Sequence, residues 1–245
     1  MSNPQVVTPD KNSKQSKKEQ VAGMFDDISP KYDFLNHLLS FGIDIYWRKK
    51  VIQLLKKRGH QKVVDIATGT GDLAIAIAQK TKAEKVVGVD ISDGMLSIGR
   101  VKVKEKALNE KISMENGDSE NLPYEDHSFD AATVAFGVRN FENLDKGLKE
   151  IHRVIKPGGQ FIVLEFSHPK AFPFKQAYGF YSKYILPTVG KIFSKNENAY
   201  RYLPESVAAF PADEHFIKRL EKAGFSACFQ KRLTFGICSI YFGLK

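Results

Sequence analysis

A glycine-rich turn and an acidic residue beyond it are the features of this sequence best suited to chemistry. The turn reads Asp65-Ile-Ala-Thr-Gly69-Thr70-Gly71, and Asp90 follows Gly71 by 19 residues. Glycines let a chain turn sharply and let a ligand lie against bare backbone. An acidic side chain at the second position can accept hydrogen bonds from both hydroxyls of a ribose. The spacing therefore predicts a site for an adenosine-containing cofactor.

The charge around this turn separates two kinds of cofactor. The run from Gly69 to Ala74 matches the relaxed G-x-G-x-x-[GA] pattern of dinucleotide sites. A dinucleotide places its pyrophosphate at the helix N-terminus, but Asp72 stands there and Asp65 precedes the turn. These carboxylates repel phosphate and attract the sulfonium and ammonium of S-adenosylmethionine, which is the predicted cofactor. Asp72 has a second interpretation as a first-turn residue favoured by the helix dipole, and both stay open.

A further acidic position follows the third predicted strand, in the run Asn116-Gly117-Asp118-Ser119. In doubly wound sheets the carboxyl ends of the strands form the ligand crevice. Asp118 is therefore placed to accept a hydrogen bond from an adenine amino group. The alternative is a loop aspartate that caps a turn.

Strands and helices must alternate to bring these residues together. Five strands are predicted at short apolar runs: Lys62–Ala67, Lys85–Asp90, Lys111–Glu115, Phe129–Phe136 and Phe161–Phe166. Helical patterns fall between them at Asp72–Lys80, about 93–106 and Leu144–Ile155, the last ending at the stop signal Pro157-Gly158-Gly159. A helix near 213–223 and strands at 225–232 and 235–242 follow. This alternation predicts a doubly wound α/β fold, the seven-stranded sheet of class I S-adenosylmethionine-dependent methyltransferases.

Three segments lie outside this alternation. Residues 1–19 are polar and basic, which predicts a disordered tail before a single domain over 20–245. Residues 20–58 have the periodicity of N-terminal helices. Residues 167–211 form an aromatic insertion before the last helix.

The insertion is aromatic on more than one side. Phe174, Tyr178, Tyr181 and Ile185 recur at helical spacing, whereas Phe180 and Tyr184 fall on another face. Phe172 and Phe193 complete the aromatic set. Two interpretations follow: a cap packed on the sheet, or a mobile lid whose outer face meets a prenyl tail or the membrane interface.

The overall composition and charge are compatible with several classes of function. The formal charge of +9 suits nucleic acid, an anionic membrane or an acidic substrate. Six cations fall on one predicted helix (Arg48, Lys49, Lys50, Lys56, Lys57 and Arg58). There is no basic run interleaved with base-stacking aromatics, so no nucleic-acid partner is expected. Cys228 and Cys238 have no metal-ligand spacing, and no metal is expected. Without a signal peptide or an 18-residue apolar run, we expect a cytoplasmic protein, with peripheral membrane attachment and homo-oligomerisation left open.

Three motifs resemble those of the ubiquinone/menaquinone biosynthesis C-methyltransferases. They are Tyr32-Asp-Phe-Leu-Asn36-His-Leu-Leu-Ser40, the fifteen residues from Arg153 to Ser167, and Phe136-Gly-Val-Arg139-Asn140. With the sheet between them they cover about residues 21–245. The chain departs from the family at Asp44, where members often have His, at Leu35, where they often have Met, and at Ala135, where some have a cofactor-contacting Ser.

The resemblance implies methylation of a polyprenyl quinol at a ring carbon, with demethylmenaquinol as the expected substrate. By similarity, Thr70, Asp90, Asp118 and Ser119 contact S-adenosylmethionine. Arg139 stays charged and so suits stabilisation of a phenolate, while Tyr32 and Asn140 hold the quinol oxygens. Glu165 is the best-placed further titratable group, and no base is assigned. The alternatives are the benzoquinol of the ubiquinone branch, a nucleic-acid methyltransferase and a non-catalytic scaffold.

Overall fold

The computed structural model describes residues 7–185, 188 and 197–245. Its centre is a seven-stranded sheet in the order β3-β2-β1-β4-β5-β7-β6. The first five strands are parallel, and β7 runs antiparallel to both β5 and β6. The strands are β1 Lys62–Ile66, β2 Lys85–Asp90, β3 Ile112–Asn116, β4 Phe129–Ala135, β5 Ile155–Phe166, β6 Ser226–Leu233 and β7 Cys238–Leu244. The predicted doubly wound seven-stranded sheet is confirmed.

Helices cover both faces of the sheet, because each presents one apolar side to it. On one face Trp47, Val51 and Ile77 belong to a single buried cluster, and on the other Leu148 and Phe216 belong to a second. The helices are α1 Lys17–Leu39, α2 Ile43–Leu55, α3 Asp72–Lys80, α4 Asp93–Glu105, α5 Leu144–Val154, α6 Phe174–Phe180, α7 Glu197–Ala209 and α8 Glu214–Lys222. A π-helical turn, Tyr181–Ile185, extends α6.

The fifth strand is longer than predicted. β5 begins at Ile155, and the residues read as a helix stop form a bulge within it, since Phe129 pairs with Ile155 and Ala131 already pairs with Gln160. Gly158 makes the bulge possible with a φ of +78°. A Pro-Gly-Gly run predicts a turn but not that the strand resumes its pairing beyond it.

Three other boundaries also differ from prediction. α1 begins at Lys17, inside the predicted tail, because Ser16 and Glu19 form a capping box. The last strand begins at Cys238, since Thr234 and Phe235 turn with φ of +46° and +56°. Of the six cations placed on one helix, Arg48 is buried, and α2 ends before Lys56.

Candidate active site

The carboxyl ends of β1–β4 form a crevice, called here the cofactor crevice, lined among others by Gly69, Asp90, Asp118 and Ser119. Gly69 has a φ of +57°, and a Cβ placed on it would meet no atom within 4 Å. Its backbone is therefore bare toward the crevice, as a closely bound ligand requires. The Gly69 N–H donates to Asp90 Oδ2 over 2.7 Å. The predicted ribose acceptor thus sits directly against the turn.

The carboxylates of Asp90 and Asp118 differ in burial and in their hydrogen-bond partners. Burial raises the pKa of the Asp90 carboxyl, and the N–H groups of Ser92 and Gly69 oppose that shift. Asp118 lies nearer the surface, accepts from the Glu120 N–H over 2.9 Å and pairs with Lys18. Both carboxylates face the crevice from neighbouring strand ends, as predicted from their spacing.

Three other predicted cofactor residues shape the turn and do not line the crevice. Asp65 is buried beneath it and accepts from Thr133 Oγ1 over 2.6 Å and Thr68 Oγ1 over 2.7 Å. Burial raises the pKa of Asp65 to about 6. Thr70 Oγ1 donates to Asp33 Oδ1 over 2.5 Å. A Cβ on Gly71 would lie 3.1 Å from the Met114 side chain, so this glycine serves close packing. Their contact with a cofactor stays a prediction.

The carboxylate of Asp72 is paired with cationic side chains of the protein itself. Its carboxylate pairs with Lys102 and lies 3.6 Å from Arg48 Nη2. Lys102 Nζ also lies 2.9 Å from Asp33 Oδ2. This network supports the interpretation of Asp72 as a helix-start residue, because its charge is neutralised locally.

Helix α1 lies across the cofactor crevice and contacts the loop after each of four strands. The contacts run in order along the helix: Lys17 Nζ to Phe141 O, Lys18 to Asp118, Asp26 to Ser92 Oγ and Gly94 N, and Asp33 to Thr70 Oγ1. Burial lowers the pKa of Lys17 to about 8. The helix thus covers the crevice from end to end.

The crevice suits S-adenosylmethionine chemically. Four carboxylates, of Asp90, Asp118, Glu120 and Glu142, line it with Lys18 as the one cation among its described lining residues. This excess of negative charge favours a ligand that carries a sulfonium and an ammonium and no phosphate. The bare backbone at Gly69 and the carboxylate at Asp90 complete a fit for its adenosine.

A second cavity of about 450 Å³, called here the apolar cavity, adjoins the crevice. Its walls come from α1, α2, α6, α7, the end of β5 and the turn after β6, with side chains such as Leu35, Trp47 and Phe166. Four residues line both spaces: Phe25, Tyr32, Phe136 and Asn140. The two spaces meet at these residues, so a ligand in one would face a ligand in the other.

The predicted catalytic residues gather at this junction. Tyr32 and Asn140 line both spaces, and Arg139 lies in the wall of the apolar cavity. Burial raises the pKa of Tyr32 to about 12, so its hydroxyl keeps its proton and can donate. Asn140 Oδ1 accepts from Tyr202 OH over 3.2 Å. The structure therefore brings together the three side chains that the motifs singled out.

Glu165 is not in the lining of either space. It is fully buried at the end of β5, where Oε1 accepts from Arg139 Nη1 over 2.6 Å and from the Phe166 N–H over 2.9 Å. Burial raises its pKa, and the Arg139 guanidinium opposes that shift. A carboxylate out of reach of the cavity cannot take a proton directly from a substrate in it.

Several residues of the site were not predicted. Lys17, Lys18 and Tyr202 contact site residues from α1 and α7, more than 60 positions away in the chain. No local spacing signals such contacts. The capping box at Ser16 was the one available sign that order begins early enough to include the two lysines.

Fold and site together define a class I S-adenosylmethionine-dependent methyltransferase. A Thermotoga maritima protein of this class, described as a possible histamine N-methyltransferase, superposes with a TM-score of 0.62 over 91% of this chain and 99% of its own at 22% identity. Phosphoethanolamine N-methyltransferase 2 of Haemonchus contortus, solved with S-adenosylmethionine, gives 0.58 over 80% of this chain and 52% of its own at 16% identity. At these identities the likeness concerns the fold.

Relatives of higher sequence identity show which family the chain belongs to. The profile of the ubiE/COQ5 methyltransferase family matches residues 13–245. Demethylmenaquinone methyltransferase of Bacteroides fragilis is 50% identical over 94% of both chains, and that of Porphyromonas gingivalis 43% identical over 100% of both. A ubiquinone/menaquinone biosynthesis C-methyltransferase of Geobacter sulfurreducens is 44% identical over 94% of this chain and 90% of its own. The chain belongs to the ubiE/COQ5 methyltransferase family and is an S-adenosylmethionine-dependent methyltransferase.

Proposed function

We propose that this enzyme methylates a ring carbon of a polyprenyl quinol, with demethylmenaquinol as its substrate. The observation that carries the proposal is the apolar cavity, which opens onto the cofactor crevice at Tyr32 and Asn140 and holds Arg139 in its wall. An apolar space with a few polar groups at one end suits a ring with two oxygens and a long hydrocarbon tail. The names of the relatives at 43–50% identity agree with a quinone substrate.

The chain's own groups have two tasks in this reaction. A quinol carbon becomes nucleophilic when the adjacent hydroxyl loses its proton, so the site must stabilise a phenolate and align the ring. Arg139 supplies positive charge beside the oxygen, and Tyr32 and Asn140 can hold the ring oxygens. The bound cofactor supplies an electrophilic methyl group. Walls such as Trp47 and Phe166 exclude water from the ring, which strengthens the electrostatic effect of Arg139.

Incubation of the purified protein with S-adenosylmethionine and demethylmenaquinol tests the proposal. We expect a product heavier by one methylene, found by mass spectrometry, and equal amounts of S-adenosylhomocysteine. Parallel reactions with the demethylated benzoquinol of the ubiquinone branch and with total RNA cover the alternatives. Methylation of RNA alone, or no methylation of either quinol, would contradict it.

We further infer that the mouth of the apolar cavity rests on an anionic membrane surface. Exposed aromatic side chains flank it: Phe41 (78% exposed), Phe172 (80%), Phe180 (60%) and Tyr184 (52%). Lys175 and Lys183 are exposed beside them on the same helical segment. Aromatic rings and lysines are the side chains that suit the headgroup region of a bilayer. Among the described residues no helix is long and apolar enough to cross a bilayer.

The two faces of this segment follow the helical spacing in part, since Ile185, predicted on the inner face, is 38% exposed and is not among the residues that line the apolar cavity. Phe174, Tyr178 and Tyr181 line the apolar cavity, and Tyr181 OH donates to Leu39 O over 2.7 Å. Phe180 and Tyr184 lie on the outer face, their rings 5.1 Å apart between centroids. Phe193 and the rest of 186–196, apart from residue 188, lie outside the described residues. Whether the segment moves as a lid stays a prediction.

Co-sedimentation with liposomes tests the surface. A Phe180→Ser/Tyr184→Ser variant should sediment less than the parent with anionic vesicles, and the parent should lose binding in high salt. Phe229→Ser, an exposed phenylalanine on β6, is the matched control. Equal sedimentation of all three proteins, with equal activity on a long-tailed quinol, would leave the segment as a cap.

A further inference from the structure

The buried contact between Arg139 and Glu165 has a consequence for the chemistry of the junction. Arg139 Nη1 donates to both Glu165 Oε1 and Phe136 O, and the Arg139 N–H lies 3.4 Å from Glu165 Oε2. Both side chains are nearly or fully withdrawn from solvent. One end of the guanidinium is therefore fixed to the protein by its carboxylate partner and by a backbone carbonyl.

The Arg139 side chain stays buried beside the apolar cavity. Arg139 Nε is buried and has no hydrogen-bond partner among the described residues. A buried donor without a partner costs free energy, so such groups are rare outside functional sites. Arg139 lies in the wall of the apolar cavity, and its guanidinium carbon stands 5.5 Å from the centre of the Phe166 ring. The guanidinium, fixed by Glu165 and Phe136 O, is thus held beside the space where the ring oxygens would lie.

We infer that Glu165 is a positioning residue: it fixes the guanidinium of Arg139 and sets how strongly that cation stabilises the phenolate. The inference rests on the proposed quinol methylation. Because Glu165 is outside both cavities, it acts through Arg139. The negative charge of Glu165 lowers the positive potential that Arg139 creates at the quinol oxygen. The quinol therefore binds in its neutral form and need not lose its hydroxyl proton on binding.

Two variants separate charge from geometry. Glu165→Gln keeps the size and one acceptor but removes the charge, and Glu165→Asp keeps the charge but draws the carboxylate back by one methylene. In the parent we expect kcat to rise with pH as the bound quinol hydroxyl ionises. In Glu165→Gln the inflection should move about one unit lower, with kcat within about tenfold of the parent. In Glu165→Asp the inflection should stay and kcat should fall by about tenfold or more, because the guanidinium is less well aligned.

Controls isolate the route through Arg139. Glu150→Gln removes the charge from another arginine–glutamate pair, formed with Arg153 and away from both cavities, and should leave the pH profile unchanged. In an Arg139→Gln background the further change Glu165→Gln should have little additional effect, because residues that act as a unit are not additive. Melting temperature and cofactor affinity, measured for every variant, show that the fold and the crevice persist.

The outcomes distinguish the possible roles. If Glu165 were the general base, Glu165→Gln would lose about 100- to 10,000-fold in kcat and its residual activity would no longer rise with pH. That result, or an unchanged rate and profile in both Glu165 variants, would overturn the inference. If Glu165→Gln does not fold, Glu165→Asp decides alone: parental kcat overturns the inference. A parent protein that does not methylate the quinol would instead refute the proposed function.

Discussion

The cofactor crevice and the apolar cavity meet at Tyr32 and Asn140 but select ligands by different physics. In the crevice, polar groups are held close to the backbone by short hydrogen bonds, such as the one from Gly69 N–H to Asp90. The apolar cavity has few polar groups, and rings and aliphatic chains from several helices form its walls. The crevice therefore recognises charge and hydrogen-bond pattern, and the cavity recognises shape and hydrophobicity. A reaction between a charged cofactor and a hydrophobic acceptor needs both environments side by side.

Arg139→Lys should give the largest effect, and this effect should fall on turnover of the quinol and not on binding of the cofactor. A lysine keeps the charge but loses the planar donors, one of which binds both Glu165 and Phe136 O. We expect kcat on the quinol to fall by about 100- to 1000-fold, as for loss of one donor that stabilises a developing anion. Cofactor affinity, measured by calorimetry, should not change. Parental turnover would make Arg139 structural and place phenolate stabilisation elsewhere.

Asp90→Ala should instead weaken binding of the cofactor. It removes the carboxylate that is predicted to bind the ribose and that accepts from Gly69 N–H and Ser92 N–H. Hydrogen bonds to a charged group contribute about 1.5–3 kcal/mol each, so affinity for S-adenosylmethionine should fall tenfold or more by calorimetric titration. Asp90→Asn keeps the size and is the matched control for lost charge. Unchanged affinity in Asp90→Ala would mean that the crevice is wrongly placed.

Asp65→Asn probes the base of the crevice through stability. Burial raises the pKa of Asp65 to about 6, so the folded protein holds this proton more tightly than the unfolded chain. Its contribution to stability is complete below about pH 4 and is lost as pH rises through about 6. Asparagine mimics the protonated form, so the variant should be more stable than the parent at pH 8, by about 1–2 kcal/mol, and not at pH 4. Thermal melts at both values check this. An equal gain at both pH values would show that charge is not the cause.

Lys18→Ala should give the smallest effect, at the helix that both spaces share. The Lys18–Asp118 pair is partly exposed, and it must separate if Asp118 accepts from an adenine amino group as predicted. Partly exposed pairs contribute little, so affinity should stay within about fivefold while the cofactor associates faster at low salt. Stopped-flow mixing measures the rate. Much slower association would show instead that the lysine preorganises the crevice.

The two spaces also differ in how far the sequence predicts them. The seven-stranded sheet and the positions of Gly69, Asp90 and Asp118 follow from strand patterns and spacing, because parallel strands bring their carboxyl ends to one edge. The apolar cavity unites Leu35 of α1 with Tyr202 of α7, which no local pattern connects. Tyr32, Arg139 and Asn140 were found through family motifs. Side-chain partners were the least predictable: Asp72 pairs with Lys102, which no local spacing connects to it, and Glu165 is fully buried and outside the lining of the cavity.

Trp47, the single tryptophan of the chain, lies in the wall of the apolar cavity. Its Nε1–H donates to Thr234 Oγ1 over 2.8 Å, and its ring stands about 6 Å from those of Phe136 and Phe166. Indole fluorescence depends on local polarity and on nearby electron acceptors. The tryptophan emission of the protein therefore comes from one fixed point beside the reaction space. An oxidised quinone arriving there would quench it, so occupancy can be followed in the unlabelled enzyme, in real time and without turnover.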